Sequence, residues 1–346
     1  MPFTAADPIV RGVERYDVAI VGGGIIGLAC ALRAQQRGLS VCVLERGTAG
    51  GGATRAAAGV LAPDPETPGF TALAQRSAGL WPAFAAELGD VGYTRCGSLV
   101  LAFGDAPIEL DGERLDGAAC RALEPGIAAD CVGGLLLADD AQVDPRRVAA
   151  ALADRLGDAV RTSTDVVDVT PESVGLADGA RIEADRVVLA AGAWSSRRLA
   201  KRLAVRPVKG QTLRLRGPLP ATRIIRSEHV YVVPRASGET VIGATVEDAG
   251  YDETPTDSAT ELLLRQAVRA VPAVAELELV EAVASLRPAT PDDGPLIGEW
   301  EGLLVACGHF RNGILLAPVT ADAIVALLSG DAPPAEVAPF DPQRFD

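Results

Sequence analysis

Residues 16–29 read Tyr16-Asp-Val-Ala-Ile-Val-Gly-Gly-Gly-Ile-Ile-Gly-Leu-Ala29. A short apolar run meets three glycines, and the chain then takes helical spacing from Ile25 to about Arg37. A second apolar run, Ser40–Glu45, ends in an acid. Strand, glycine turn, helix and strand in this order open a doubly wound parallel sheet. Gly22, Gly24 and Gly27 form G-x-G-x-x-G in the context that gives it meaning. Gly22 permits a tight turn, Gly24 lets the backbone approach a pyrophosphate, and Gly27 lets the helix pack on the sheet. Glu45 is placed to accept from a ribose hydroxyl and disfavours a 2′-phosphate, despite the adjacent Arg46. The pattern predicts a dinucleotide site at a helix N-terminus.

Working outward, a glycine- and alanine-rich loop spans 47–61, followed by a helix over 70–88. Asp144-Pro145 is an N-cap and first-turn proline, predicting a helix to about Leu156. Short strands follow near 159–162, 166–170, 174–176 and 187–190. From 205 to 246 the texture changes to alternating strands separated by turns (211–216, 229–234 and 239–244), which is antiparallel sheet. A helix is expected over 258–271, then a strand ending near Arg287, a buried strand at 303–307 and a helix over 313–328. The fold class is therefore α/β: a Rossmann-like domain (14–90, 140–204 and 284–332) interleaved with a mainly antiparallel substrate domain (91–139 and 205–283). Residues 1–13 and 333–346 are expected to be irregular tails.

Composition narrows the function. The 346 residues carry a net charge of −14, which argues against nucleic acid, since phosphate binding needs a Lys/Arg footprint. No apolar run reaches the length of a membrane span, and no signal-peptide pattern opens the chain. Six scattered cysteines and two histidines give no metal-ligand spacing, and a reducing cytoplasm is the expected location. Cys30 and Cys42 read as core thiols.

The glycine motif does not choose between NAD and FAD; two later segments favour FAD. Residues 186–194 form an apolar strand ending in small residues. Gly308-His-Phe-Arg-Asn-Gly-Ile-Leu-Leu-Ala-Pro318 places a glycine pair where a strand becomes a helix. A helix N-terminus there can face a flavin ring and stabilise the charge that develops on reduction. Arg311 lies at that helix start, where a cation is unfavourable unless an anion is near; the alternative is an exposed loop arginine. Alternation along 229–234 puts His229, Tyr231 and Val233 on one face; Tyr231 is otherwise a half-buried strand tyrosine. Arg287 follows the apolar stretch Ala282-Val-Ala-Ser-Leu286 and precedes Pro288. A partly buried arginine requires an anion, and its fork suits a carboxylate, whether a substrate's or that of a structural salt bridge.

Val21–Gly27, Ala56-Ala-Ala-Gly-Val60, Val208-Lys-Gly-Gln211, Tyr231-Val-Val-Pro-Arg235, Leu286-Arg-Pro-Ala-Thr290 and Gly308–Pro318 together resemble the D-amino-acid oxidase superfamily, and within it the glycine oxidases of bacterial thiamine biosynthesis. The resemblance implies non-covalent FAD, since no cysteine lies in 285–293, where some sarcosine oxidases of the superfamily attach it. It places Ile25 and Ile26 over the pyrophosphate, Glu45 and Arg46 at the adenosine ribose, and Ala53 and Thr54 near the phosphates. Ala58, Gly59 and Val60 would run beside the isoalloxazine, with the Val166 backbone at the adenine. His309, Phe310, Arg311, Asn312, Gly313, Ile314 and Leu315 would line the flavin's other edge. Arg287 and Tyr231 match positions that bind a substrate carboxylate, and Arg311 one near the amine. Arg55 departs from the pattern, standing where relatives often have serine. The implied activity is oxidation of glycine or a small amine to an imine, with molecular oxygen as acceptor and hydrogen peroxide as product. Sarcosine or D-amino-acid oxidases, a quinone-linked dehydrogenase and a catalytically silent flavin-binding subunit are the alternatives. The resemblance also admits a homo-oligomer.

Overall fold

The computed structural model describes residues 14–64, 69–104, 108 and 110–346. The expectation for 1–13 lies outside these residues. Two eight-stranded sheets and a two-stranded ribbon account for the strands described.

In the first sheet Glu14–Val21 pairs in parallel with Val41–Leu44 on one side and Arg181–Leu189 on the other. Leu303–Cys307 joins in parallel beyond, and Val160–Arg161 joins Val41–Leu44. Alternation decides which face each residue meets. Val18 and Ile20 pack with the helices Ile25–Gln36, Phe70–Leu88, Pro145–Leu156 and Gly313–Leu328, while Ala19 and Val21 pack on the opposite face. Cys30 and Cys42 are buried in these two cores, one in each. Asp144 caps its helix through the N–H groups of Arg146 and Arg147.

The second sheet runs, in spatial order, Glu278–Ala289, Arg206–Arg216, Glu239–Gly243, Tyr231–Pro234, Ile224–Arg226, Ser98–Ala102, Gly133–Leu137 and Glu113–Asp116. All neighbours are antiparallel except Ile224–Arg226 with Ser98–Ala102. Leu213 and Leu215 face the helix Asp257–Ala270, packing with Leu263 and Ala267. Gly210, Thr212 and Arg214 point the other way, toward the first sheet's loops.

Two boundaries differ from expectation. The strand Glu278–Ala289 stays paired with Arg206–Arg216 up to Ala289, so the substrate sheet extends past residue 284 and carries Arg287. The segment 333–346 is not irregular: it forms 3₁₀ turns at Ala335–Phe340 and Pro342–Phe345. Its apolar side chains explain the order, because Phe340 is 1% exposed and joins Val337 in the main core. Within 47–61, residues Ala53–Ala56 form one helical turn.

The helix Gly313–Leu328 contains Pro318, which has no N–H for the preceding turn. Side chains of the helix Phe70–Leu88 bond to the neighbouring groups of this turn. Ser77 Oγ (2.6 Å) and Trp81 Nε1 (2.9 Å) both donate to the Leu315 carbonyl, and Ser77 Oγ accepts from Val319 N at 3.4 Å. Ser77→Ala is expected to destabilise the fold by about 1–3 kcal/mol, the cost of leaving buried backbone groups short of a partner. Urea unfolding of the two proteins measures this.

His309 is tied to the same helix. It is 2% exposed and its Nε2 is 3.0 Å from Thr320 Oγ1. Burial pushes its pKa down to about 3. The native state thus binds fewer protons than the unfolded chain below the ordinary histidine value of about 6.5. This contribution is complete above that pH and is lost as the pH falls toward 3. His309→Gln keeps a polar group for Thr320 and does not titrate. Its unfolding free energy should fall less steeply between pH 6 and 4, by up to about 1.4 kcal/mol per pH unit. Parallel slopes for the two proteins would refute the assignment.

Candidate active site

A cavity of about 690 Å³ opens where the two sheets face each other, within the range of small-molecule and cofactor sites. One end is built from the glycine turn. Gly22 has φ +112°, and a Cβ there would lie 2.4 Å from the Ala190 carbonyl oxygen. At Gly27 a Cβ would lie 2.0 Å from the Gly22 carbonyl oxygen, so any side chain would force the helix off the turn. At Gly24 a Cβ would meet only Thr54 Oγ1, at 3.5 Å, leaving the backbone open to the cavity. Ile25 N donates to Thr54 Oγ1 at 3.0 Å. The other first-turn N–H groups of that helix have no intrahelical acceptor.

Glu45 is fixed in place, accepting from Gly23 N through Oε2 and from Gly47 N through Oε1, each at 2.8 Å. The Arg46 guanidinium stacks 3.7 Å from the Trp194 ring centroid. Glu45, Arg46, Ala53, Thr54 and Val166 all line the cavity. A turn with bare glycine backbone, helix N–H groups without intrahelical acceptors and a fixed acid fits an adenosine diphosphate moiety.

The wall beyond is made by Ala56–Val60 on one side and His309–Ile314 on the other. Gly59 has φ +80°, and a Cβ there would be 2.0 Å from the Val143 carbonyl oxygen. Phe310 N donates to the Pro288 carbonyl at 2.8 Å, which ties the helix entry to the strand carrying Arg287. Cys307 also lines this region, and burial pushes its thiol up to about 12.

At the far end Tyr231 and Arg287 come together. A Cβ on Gly210 would lie 2.2–2.3 Å from the Arg287 guanidinium, so that group rests directly on the Gly210 backbone. A Cβ on Gly243 would lie 2.4 Å from the Tyr231 hydroxyl, across a directly paired position in the sheet. Arg287 Nη1 donates to the Thr245 carbonyl at 2.9 Å. Burial draws the Arg287 guanidinium below the ordinary arginine range; Tyr231 opposes this, and the nearby Arg311 charge adds to it. Burial raises the Tyr231 phenol, with Arg287 and Arg311 opposing. Two guanidinium groups and a protonated phenol thus converge on one pocket.

Most of the residues singled out in the sequence line this cavity, and three differ. His229 is not on the strand: pairing begins at Tyr231, because Ser227 N donates to the Val230 carbonyl and closes a turn. His229 lies at the cavity rim with its side chain 61% exposed. Leu315 is buried in the core and is not part of the cavity wall. Gly27 lies beneath the turn rather than on the cavity wall. Arg55 turns outward to Glu281, while Thr54 stays on the cavity wall beside the helix N-terminus. Gly210, Gly243 and Trp194 were missed. A glycine inside a strand signals close backbone approach, but the approaching group comes from another strand.

The description "FAD dependent oxidoreductase" belongs to the family model that matches residues 17–327. The glycine oxidase of Geobacillus kaustophilus is 34% identical over 373 residues, covering 96% of this chain and 97% of that protein. The crystal structure of glycine oxidase from that organism superposes with a TM-score of 0.89 at 32% identity, covering 96% and 99% of the two chains. The bifunctional protein ThiO/ThiG of Trichormus variabilis is 37% identical over 340 residues; the chain spans about half (52%) of that protein's length. Among the described residues no helix is long and apolar enough to cross a membrane. The glycine turn, the fixed acid and the two facing walls fit non-covalent FAD, and the chain belongs to the FAD-dependent oxidoreductase family, on its glycine-oxidase-like branch.

Proposed function

We propose that this protein oxidatively deaminates a small amino acid, with glycine the first candidate and sarcosine and D-alanine beside it, using molecular oxygen as acceptor. The observation that carries the reading is the seat formed by Arg287 on Gly210 and Tyr231 on Gly243, at the end of the cavity opposite the glycine turn. FAD, when bound, would supply the hydride acceptor for the substrate α-carbon and the reductant for oxygen, giving hydrogen peroxide.

The protein's part is orientation. Arg287 takes the substrate carboxylate through its fork, a charged contact contributing about 1.5–3 kcal/mol. The Tyr231 phenol, kept protonated by burial, donates to the same carboxylate. The Arg311 backbone carbonyl is our candidate acceptor for the substrate amine, at the entry of the helix Gly313–Leu328. With both ends of so small a molecule fixed, the α-C–H has one direction left, and this positioning is where the rate enhancement arises. Water adds to the released imine to give the oxo acid and ammonia. The glycine oxidase and ThiO/ThiG relatives support glycine as substrate and thiazole formation as the use of its product. We propose a reducing cytoplasm as its location, from the six scattered cysteines, which are all free.

Anaerobic mixing with glycine, sarcosine or D-alanine should bleach the flavin absorbance, and air should restore it with release of peroxide. No bleaching by any of the three sinks the assignment. Arg287→Ala should lose about 10- to 150-fold in kcat/KM, with FAD still bound. Gly210→Ala is the finer test, because its methyl displaces only the end of a flexible side chain. It should fold normally, retain FAD and raise KM, with an overall loss on the order of 10²-fold in kcat/KM. Wild-type kinetics in that variant would remove Arg287 from the substrate seat.

A further inference from the structure

Three carbonyls of the wall segment 55–60 are held from behind by side chains of the substrate sheet and, at Arg55, also by Arg146 of the helix Pro145–Leu156. Arg214 Nη2 and Arg146 Nε donate to the Arg55 carbonyl at 3.2 and 3.1 Å. Thr212 Oγ1 donates to the Ala56 carbonyl at 2.8 Å, and Arg235 Nη2 to the Ala58 carbonyl at 2.9 Å. Arg235 is 7% exposed and held on its other side by Asp144 Oδ2 at 3.0 Å and Glu239 Oε1 at 2.8 Å. Glu239 Oε1 also accepts from Arg214 Nη1 at 2.6 Å.

A peptide unit is planar, with its C=O and N–H on opposite sides. Anchoring the Ala58 carbonyl on Arg235 therefore turns the Gly59 N–H the other way, and both residues line the cavity. The network behind this wall joins Arg55, Arg146, Arg214 and Arg235 to Asp144, Glu239 and Glu281, four cations against three carboxylates.

We propose that Arg235 is a positioning residue for the flavin: it fixes the Ala58–Gly59 peptide with its N–H directed into the cofactor cavity and, with Arg214, puts positive charge behind that peptide. The proposal rests on FAD lying against this wall. Reduction adds negative charge to the flavin, so an N–H donor backed by a cation favours the reduced form. Arg235 touches neither substrate nor cofactor and acts through the peptide it holds.

The test is the midpoint potential of the bound flavin, read by equilibration with a reference dye, together with its visible spectrum. Arg235→Met should make the potential more negative, by about tenfold in the reduction equilibrium or about 30 mV for a two-electron couple. Arg235→Lys should recover most of the shift. Glu239→Gln keeps both arginines and an acceptor oxygen while removing one negative charge, and should move the potential the opposite way. A purely structural role would displace both variants in the same direction or neither. FAD bound with unchanged potentials, or shifts of one sign in Arg235→Met and Glu239→Gln, overturns the proposal. A wild-type protein that binds no FAD overturns it together with the assignment of the cavity.

Discussion

The two sheets meet along residues 55–60, where the chain leaves the helical turn Ala53–Ala56, and the carbonyls of Arg55, Ala56, Ala58 and Gly59 need donors. Backbone oxygens removed from water cost free energy unless they are paired. This segment lies in no long strand or helix that could pair them. Thr212, Arg214 and Arg235 reach across from the substrate sheet to do so, joined by Arg146, and Val143 N donates to the Gly59 carbonyl at 2.9 Å. The contact that aligns the substrate sheet on the cofactor sheet is therefore the same contact that shapes the cavity wall. Breaking it would both loosen the two halves and misplace this wall of the cavity.

Glycine controls the distances at each end. Gly22 and Gly27 let a strand, a turn and a helix close on one another, so the helix N-terminus faces the cavity. Gly210 and Gly243 do the corresponding work in the antiparallel sheet, where a missing side chain makes room for a charged or phenolic group from a neighbouring strand. The physical device is the same: a Cβ is removed so that a functional group can lie on bare backbone.

The electrostatics run against the average of the molecule. The chain carries −14 overall, yet Arg287 and Arg311 converge beside Tyr231 at one end of the cavity. Behind the adjoining wall Arg214 and Arg235 are buried, held by the less buried carboxylates of Asp144, Glu239 and Glu281. Concentrating cations where water is scarce is costly without an anion, which suits a pocket for a small carboxylate substrate and a cofactor that gains negative charge.

The sequence by itself determined the cofactor end. Its signals are local: strand, glycine turn, helix and acid occupy residues 16–45, and each lies within a few residues of the group it positions. Helices over 70–88, 145–156 and 313–328 were legible for the same reason, through caps and apolar spacing. Arg287 and Tyr231 were legible as candidates, from an arginine in an apolar strand and from resemblance. Only the tertiary structure decided that they rest on Gly210 and Gly243, that Arg235 reaches Ala58 across 177 residues, that His229 stands outside the strand, and that the C-terminal turns pack. Those facts depend on sheet register and on which face meets which neighbour, and a one-residue slip in a strand would reverse them. Local pattern sets each element; the alignment of distant strands sets the site.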